Sequence, residues 1–89
     1  MKVYRIYTER KQPQQVLNEI KANLPSANVQ HSITGIWEGT EEDSMVIEYI
    51  GPGDESTQAN ICYLARRIKD INNQQAVLVT ISECESYLI

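Results

Sequence analysis

Hydrophobic and polar positions alternate at the start of the chain, in the segment KVYRIYT at residues 2–8. The segment is rich in β-branched and aromatic residues, and a period of two over such residues predicts a β-strand. A strand directs successive side chains to opposite faces of its sheet. The period assigns Tyr4 and Ile6 to one face, and Val3, Arg5 and Tyr7 to the other.

A period of three to four residues predicts two helices. The first begins at Pro13, which suits a first helical turn, and ends before Pro25. The second covers about residues 55–72, and Asp54 or Ser56 can cap its start. Each helix carries one apolar stripe: Val16, Leu17, Ile20 and Leu24 on the first, and Ile61, Leu64, Ala65, Ile68 and Ile71 on the second.

Two more alternating segments, residues 27–39 and 44–50, predict an antiparallel pair of strands with a polar turn at residues 39–43. The last segment, AVLVTI at residues 76–81, is too apolar for an edge strand, so we place it inside the sheet. The alternation assigns side chains of these two strands to faces. In the first strand, one face carries Val29, His31, Ile33, Gly35 and Trp37. In the second strand, one face carries Met45, Ile47 and Tyr49, and the other face carries Val46, Glu48 and Ile50.

The predicted order β-α-β-β-α-β is that of a ferredoxin-like α+β sandwich, forming one domain over residues 1–89. Two helices would cover one face of a four-stranded antiparallel sheet. The other face, with Val3 and Tyr7, would have no helix to cover it. A small chain with a half-apolar uncovered face is expected to form homo-oligomers.

Charge and composition exclude several classes of function. The formal net charge of −4 argues against a nucleic-acid binder, which needs a basic face. The opening residues do not read as a signal peptide and no apolar run matches a membrane span, so we expect a cytoplasmic protein without membrane contact. Cys62 and Cys84 match no metal or redox spacing, and we expect reduced thiols and neither metal nor cofactor.

The second half of the chain resembles a known family. WEGTEEDSMVIEYI, followed by a helix and AVLVTISECESYLI, is similar to the CutA-like relatives of PII signalling proteins, over residues 35–89. This resemblance implies a trimer with clefts between subunits that take nucleotides or similar small anions. It also implies a short C-terminal strand that pairs with a neighbouring subunit.

Almost the whole chain also resembles short uncharacterised phage and prophage proteins. The shared features are the YRIYTE start, a Gly-x-Trp-x-Gly hairpin and a Gln-Ala-Val-Leu-Val-Thr strand. By analogy with small phage proteins that sequester nucleotide messengers of host immunity, this resemblance implies immune evasion as a role.

Catalytic constellations are absent from the sequence. His31 is the only histidine, and nothing in the spacing pairs it with Cys62 or Cys84 as a nucleophile and base. The acids at residues 41–43 fall in a predicted turn, where adjacent carboxylates are normally solvated, and general acid–base catalysis needs burial to shift their pKa values. We therefore expect a protein that is not an enzyme.

The candidate ligand-binding residues are two arginines and three aromatic residues. An arginine can bind phosphate or carboxylate with its planar fork, and aromatic rings can stack on a planar ligand. Alternatively, Arg5 pairs with an acid of another subunit and Trp37 packs in an interface. The residues that we expect to bind the ligand are Arg5, Tyr7, Arg10, Trp37 and Tyr49.

These observations favour a non-enzymatic homo-oligomer, a trimer by resemblance, that binds a nucleotide or a similar anionic ligand between subunits. The alternative is a phage-type interaction module that inhibits a host protein through an acidic surface. That surface would include the acids at residues 41–43. Electrostatic complementarity would then direct it to a basic partner.

Overall fold

The computed structural model describes residues 1–89 and contains one antiparallel sheet with the strand order β2-β3-β1-β4. Two helices cover one face of that sheet. This is the predicted ferredoxin-like arrangement, and the fold prediction is confirmed. In chain order the elements are β1 (Lys2–Glu9), α1 (Pro13–Asn23), β2 (Asn28–Trp37), β3 (Thr40–Gly51), α2 (Glu55–Ile71) and β4 (Leu78–Glu83).

The core lies between the helices and one face of the sheet, which we call the helix face. Tyr4 and Ile6 of β1 point into it, as their alternation predicted, and both helical stripes pack against them. Neither helix is long and apolar enough to cross a membrane. The core cluster consists of Tyr4, Ile6, Val16, Ile20, Leu24, Met45, Ile47, Ile61, Leu64, Ala65 and Ile68, with Leu17 and Ile71 half-buried at its edge.

Side chains define both ends of α2. At its start, Asp54 Oδ1 accepts a hydrogen bond from the Thr57 backbone N–H at 2.7 Å, which confirms the predicted cap. The hydrogen bond from Thr57 lowers the pKa of the Asp54 carboxyl. At the other end the Asn72 amide is buried and donates to Thr8 Oγ1 and to the Glu9 carbonyl oxygen, at 3.0 and 2.8 Å. This amide therefore ties the end of α2 to the end of β1.

A two-residue turn connects β2 to β3. Glu38 and Gly39 both have positive φ, at 51° and 78°, as a type I′ hairpin turn requires. The predicted turn at residues 39–43 is wrong, because Thr40 already pairs with Trp37 and the acids that follow belong to β3. This part of the hairpin extends beyond β1 and meets water on both faces, so its composition is polar although its backbone is extended.

One extra residue is inserted into β2. Gln30 pairs with Val46 and Ile33 pairs with Ser44, so three steps along β2 match two steps along β3. Such a β-bulge reverses the alternation of side chains beyond it. The predicted common face of Val29, His31 and Ile33 is therefore wrong, since Val29 packs against the core and Ile33 lies on the opposite face of the sheet.

The last strand occupies an edge of the sheet. β4 pairs only with β1, so the prediction that this segment lies inside the sheet is wrong. Its apolar composition has another cause, because Val79 packs on the core while Leu78 points to the uncovered face. Residues 84–89 have no regular structure in the single chain. The C-terminal strand that the resemblance implies would pair with a neighbouring subunit, so it stays a prediction.

Candidate functional site

No helix covers the second face of the sheet, which we call the open face. Strand register places directly opposed side chains there, such as Arg5 with Glu48 and Tyr7 with Val46. Val3 and Val46 are buried among their neighbours, whereas Ile50 and Leu78 are exposed. The open face of the three strands β1, β3 and β4 consists of Val3, Arg5, Tyr7, Val46, Glu48, Ile50, Leu78, Thr80 and Ser82.

A depression of about 420 Å³ lies on the open face, where β1, β3 and the bulged part of β2 meet. Ligand pockets commonly have volumes of roughly 300–1,000 Å³. Half of the lining residues are hydrophobic by type and half are polar or charged. The lining residues are Arg5, Tyr7, Asn28, Val29, Gln30, Ile33, Val46 and Glu48.

An ion pair forms one wall of this depression. Arg5 Nε donates to Glu48 Oε2 at 3.0 Å, and the two side chains keep 38% and 29% of their surface exposed. The terminal nitrogens Nη1 and Nη2 of Arg5 and the second carboxylate oxygen of Glu48 make no hydrogen bond within the chain. Arg5 thus has its acidic partner in its own subunit, and both groups present unused atoms to the depression.

Tyr7 follows Arg5 on the same face and is half-buried in the lining of the depression. On the other side, Asn28 and Gln30 supply exposed amides, each with donors and acceptors. The depression therefore combines an aromatic ring, aliphatic side chains, two amides and a charged pair. Such a set suits a planar heterocycle that carries a polar or zwitterionic extension.

Arg10 lies at the end of β1 but holds the hairpin instead of facing the depression. Its Nη2 donates to His31 Nε2 at 3.0 Å, and its Nη1 lies 3.5 Å from Asp43 Oδ2. Its backbone N–H donates to the Asp43 carbonyl oxygen at 2.9 Å, and Ser32 Oγ donates to Asp43 Oδ1 at 2.8 Å. Both terminal nitrogens of Arg10 are therefore engaged, in contrast to those of Arg5.

Trp37 and Tyr49, two of the residues expected to bind the ligand, lie far apart within one chain. Tyr49 lies on the helix face with its ring centroid 6.2 Å from that of Tyr4. Trp37 is 65% exposed near the hairpin turn, where it pairs with Thr40. Tyr49 lies nine positions after Thr40 along β3, which amounts to about 30 Å at roughly 3.3 Å per residue.

The acids of the hairpin are interspersed with bases. Burial and the neighbouring Glu9 carboxylate raise the pKa of Glu42, and Lys11 Nζ lies 3.1 Å from Glu9 Oε2. Asp43 is paired with Arg10. The acids at residues 41–43 are thus part of a mixed cluster and not of a uniformly acidic surface.

Sequence reasoning missed three of the polar residues that line the depression. Glu48 was assigned to the face of Val46, but its position beside Arg5 depends on the register between β1 and β3. Asn28 and Gln30 belong to a polar stretch without any motif. The alternation of β3 was the one available signal, because it put a carboxylate among apolar residues on the open face.

The sequence matches no family model and no curated protein. The structure is similar to a phage SAM lyase in complex with S-methyl-5′-thioadenosine, with a TM-score of 0.73 and 21% identity over 92% of this chain and 80% of that one. A phage SAM lyase in the apo state gives 0.69, with 19% identity over 91% and 78% of the two chains. A PII-like signalling protein from Thermus thermophilus gives 0.55, with 16% identity over 91% and 82%.

At these identities the likeness shows a shared fold. The predicted relation to PII-like proteins is supported at that level, without any match to a family model. The expectation that the chain is not an enzyme is contradicted, because the same fold over 92% of the chain occurs in a lyase. That expectation depended on the absence of a histidine or cysteine constellation, and a lyase of this fold shows that the argument was too narrow.

Proposed function

We propose that the protein binds S-adenosylmethionine (SAM) in the depression on the open face and cleaves it to S-methyl-5′-thioadenosine. The fold shared with the phage SAM lyase, over nearly the whole chain, supports this reaction class. The likeness is structural, so the argument for the substrate comes from the depression itself.

The balanced charge of the depression is the observation that carries the proposal. Arg5 is its only cation and is already paired with Glu48, in a chain with a net charge of −4. A polyphosphate would bring several negative charges to a site with no surplus of positive charge. SAM carries a sulfonium, an ammonium and a carboxylate, and its net positive charge suits an acidic protein.

The shape and lining of the depression suit the adenosine half of SAM. Adenine can stack on the Tyr7 ring, and base–aromatic stacking contributes about 1–3 kcal/mol per base. The Asn28 and Gln30 amides have donors and acceptors for the edge of the base or for the ribose hydroxyls. Val46 and Ile33 supply apolar contact around the ring.

The reaction needs little chemistry from the protein. The bond between sulfur and the amino-acid side chain breaks, and its electron pair stays on sulfur, which becomes the neutral thioether of S-methyl-5′-thioadenosine. A carboxylate oxygen of the substrate attacks the carbon that sulfur leaves, which closes a lactone. No proton is removed and no co-reactant is consumed, so a pocket without histidine or cysteine suffices. The protein contributes by holding a reactive geometry.

A homo-oligomer is part of this proposal. The depression is open to solvent, and Ile50 and Leu78 leave apolar surface beside it. Tyr87, Leu88 and Ile89 are also exposed at the end of the chain. A second copy can cover this surface and exclude water from the ligand. Native mass spectrometry measures the assembly, and a monomer at micromolar concentration would contradict this part.

The alternative of an inhibitory module that docks on a host protein remains a prediction. That hypothesis requires an acidic surface that includes the acids at residues 41–43. Arg10 and Lys11 add positive charge to this region, where they pair with Asp43 and Glu9 respectively. The charges of the hairpin thus support this alternative less than the depression supports a small molecule.

Turnover of SAM tests the proposed function. The purified protein is incubated with SAM, and S-methyl-5′-thioadenosine is quantified by liquid chromatography and mass spectrometry. A heat-denatured sample corrects for spontaneous breakdown. We expect release of S-methyl-5′-thioadenosine well above that background, together with one equivalent of the lactone. Release at the background rate would contradict the proposed function.

A matched pair of variants locates the activity. Tyr7→Ala removes the stacking ring and should lower kcat/KM by about tenfold or more, on the scale of base–aromatic stacking. Tyr63→Ala removes an exposed ring from α2, on the other side of the molecule, and should leave kcat/KM unchanged. Equal effects of the two substitutions would show that the depression is not the site.

A further inference from the structure

The Arg5–Glu48 pair uses only part of its hydrogen-bonding capacity. A single contact joins Nε to Oε2, although an arginine facing a carboxylate can form two parallel hydrogen bonds. The atoms left over are Nη1 and Nη2 of Arg5 and one oxygen of Glu48, at the wall of the depression. Unused donors and an unused acceptor thus lie side by side.

We infer that this pair is the recognition element for the amino-acid half of SAM, and that it makes the site select an α-amino-acid zwitterion. Arg5 takes one oxygen of the substrate carboxylate with a terminal nitrogen, and Glu48 accepts from the substrate ammonium. The inference rests on the proposed function, and it assigns a specificity role to two residues.

The geometry of the pair matches such a ligand. The carboxylate and ammonium of an α-amino acid are separated by a single carbon, so their two partners must be adjacent and opposite in charge. Arg5 and Glu48 are directly opposed on neighbouring strands, where side chains lie about 4.5–5.5 Å apart at Cβ. A zwitterion can therefore contact both groups while their mutual hydrogen bond is kept.

The strands also give the pair a direction. Arg5 lies on β1, toward the β4 edge, and Glu48 lies on β3, where it is opposite Asn28 of β2. The ligand's carboxylate must then face β1, and its ammonium must face β3, on the side toward β2. Because the α-carbon is chiral, a reversed order of charges cannot be matched without moving the rest of the ligand.

Selection of the zwitterion gives the site a means of releasing product. S-methyl-5′-thioadenosine has neither carboxylate nor ammonium, so it loses every contact with the pair once the bond to sulfur breaks. Its affinity should be at least about tenfold below that of SAM, since it forms neither of the two charge-assisted hydrogen bonds.

A charge swap separates recognition from structural support. The double variant Arg5→Glu with Glu48→Arg keeps an ion pair at the same place but reverses its direction. Its matched control is Glu19→Arg with Arg67→Glu, which reverses the 2.7 Å pair between the two helices on the far side of the sheet. Because the protein is proposed to cleave SAM, the titrated ligands are S-methyl-5′-thioadenosine and S-adenosylhomocysteine, which keeps the amino-acid half of SAM but has no sulfonium to cleave. Isothermal titration gives both dissociation constants, and the melting temperature reports folding.

In the double variant at residues 5 and 48, the affinity for S-adenosylhomocysteine should fall at least tenfold, while the affinity for S-methyl-5′-thioadenosine stays within about twofold. The control swap should leave both affinities unchanged. If S-adenosylhomocysteine binding survives the swap while turnover of SAM persists, the pair is structural and the inference is overturned, although the proposed function stands. If the unmodified protein binds neither compound, the proposed function fails and the inference fails with it.

Discussion

The two faces of the sheet are built from the same four strands but are stabilised differently. On the helix face, Ile6, Met45 and Ile47 are buried to within 1% of their surface under two amphipathic helices. The open face alternates apolar residues with the Arg5–Glu48 pair, and part of it stays exposed. The helix face is fully covered by the chain's own helices. The open face keeps polar atoms without a hydrogen bond and apolar side chains that nothing covers.

This difference explains why the site lies where it does. A fully packed core tolerates neither a cavity nor an unpaired charge, since both destabilise the folded state strongly. The open face carries less of the stability and so can hold a charged pair with free atoms and a depression of about 420 Å³. Function is thus expected to depend on this face, and folding on the other.

The largest expected effect compares the same substitution on the two faces of β3. Ile47→Ala opens a cavity under the helices and should lower the free energy of unfolding by about 2–5 kcal/mol. Ile50→Ala, at a position that is 42% exposed on the open face, should lower it by about 1 kcal/mol or less. Urea unfolding measures both. Equal losses at low protein concentration would remove the distinction between the faces.

The next largest effect tests whether a buried polar side chain also stabilises the helix-covered side of the molecule. Asn72→Ala removes the amide that ties α2 to the end of β1, and with it the hydrogen bonds to Thr8, to the Glu9 carbonyl oxygen and from the Gln12 backbone N–H. We expect a loss of about 1–3 kcal/mol in the free energy of unfolding. Asn18→Ala, on the exposed side of α1, serves as the control and should stay within about 0.5 kcal/mol of the parent.

The charged pair of the open face should matter much less for stability. A double-mutant cycle with Arg5→Gln and Glu48→Gln should give a coupling free energy of about 0.2–1 kcal/mol, because both side chains are solvated. The same substitutions should weaken SAM binding at least tenfold. A coupling free energy above about 2 kcal/mol would show instead that the pair mainly holds the sheet together.

The smallest effect depends on pH. Since burial and the Glu9 carboxylate raise the pKa of Glu42 above 4.5, the folded chain keeps this proton to higher pH than the unfolded chain. Stability should therefore fall as pH rises from the ordinary pKa through the raised pKa, and the penalty is complete above the raised pKa. Glu42→Gln should raise the melting temperature at neutral pH but not well below the ordinary pKa.

The exposed neighbour provides the control for that pH effect. This control is Glu41→Gln, which removes a neighbouring exposed carboxylate and leaves Glu42 and Glu9 in place. A gain from Glu42→Gln that persists at low pH would point to a cause other than the proton shared with Glu9.

The sequence predicted the closed side of the molecule well, because burial produces periodic patterns. The stripe from Ile61 to Ile68 and the alternation of Tyr4 and Ile6 follow directly from packing against a core. The Asp54 cap followed from local chemistry. Hydrophobicity alone placed the last segment inside the sheet, whereas the strand order makes β4 an edge strand.

The open side could be predicted only in part. Arg5 and Tyr7 were assigned correctly to the uncovered face, but their ligand role stays a prediction. The bulge between Gln30 and Ile33 reverses the faces of β2 and has no signature in composition. The partner of Arg5 is 43 residues away in sequence and becomes its neighbour only through strand register. The proposed reaction needs no histidine or cysteine constellation, so it would leave no motif to find.

The most direct test of the central claim, that the open face binds an adenosine ligand, is a titration of the ¹⁵N-labelled protein with S-methyl-5′-thioadenosine, followed by amide chemical shifts. The account predicts saturable shifts at Arg5, Tyr7, Gln30 and Glu48, with the amides of α1 and the exposed turns of α2 unchanged. Shifts centred on the helices, or none at millimolar ligand, would contradict it.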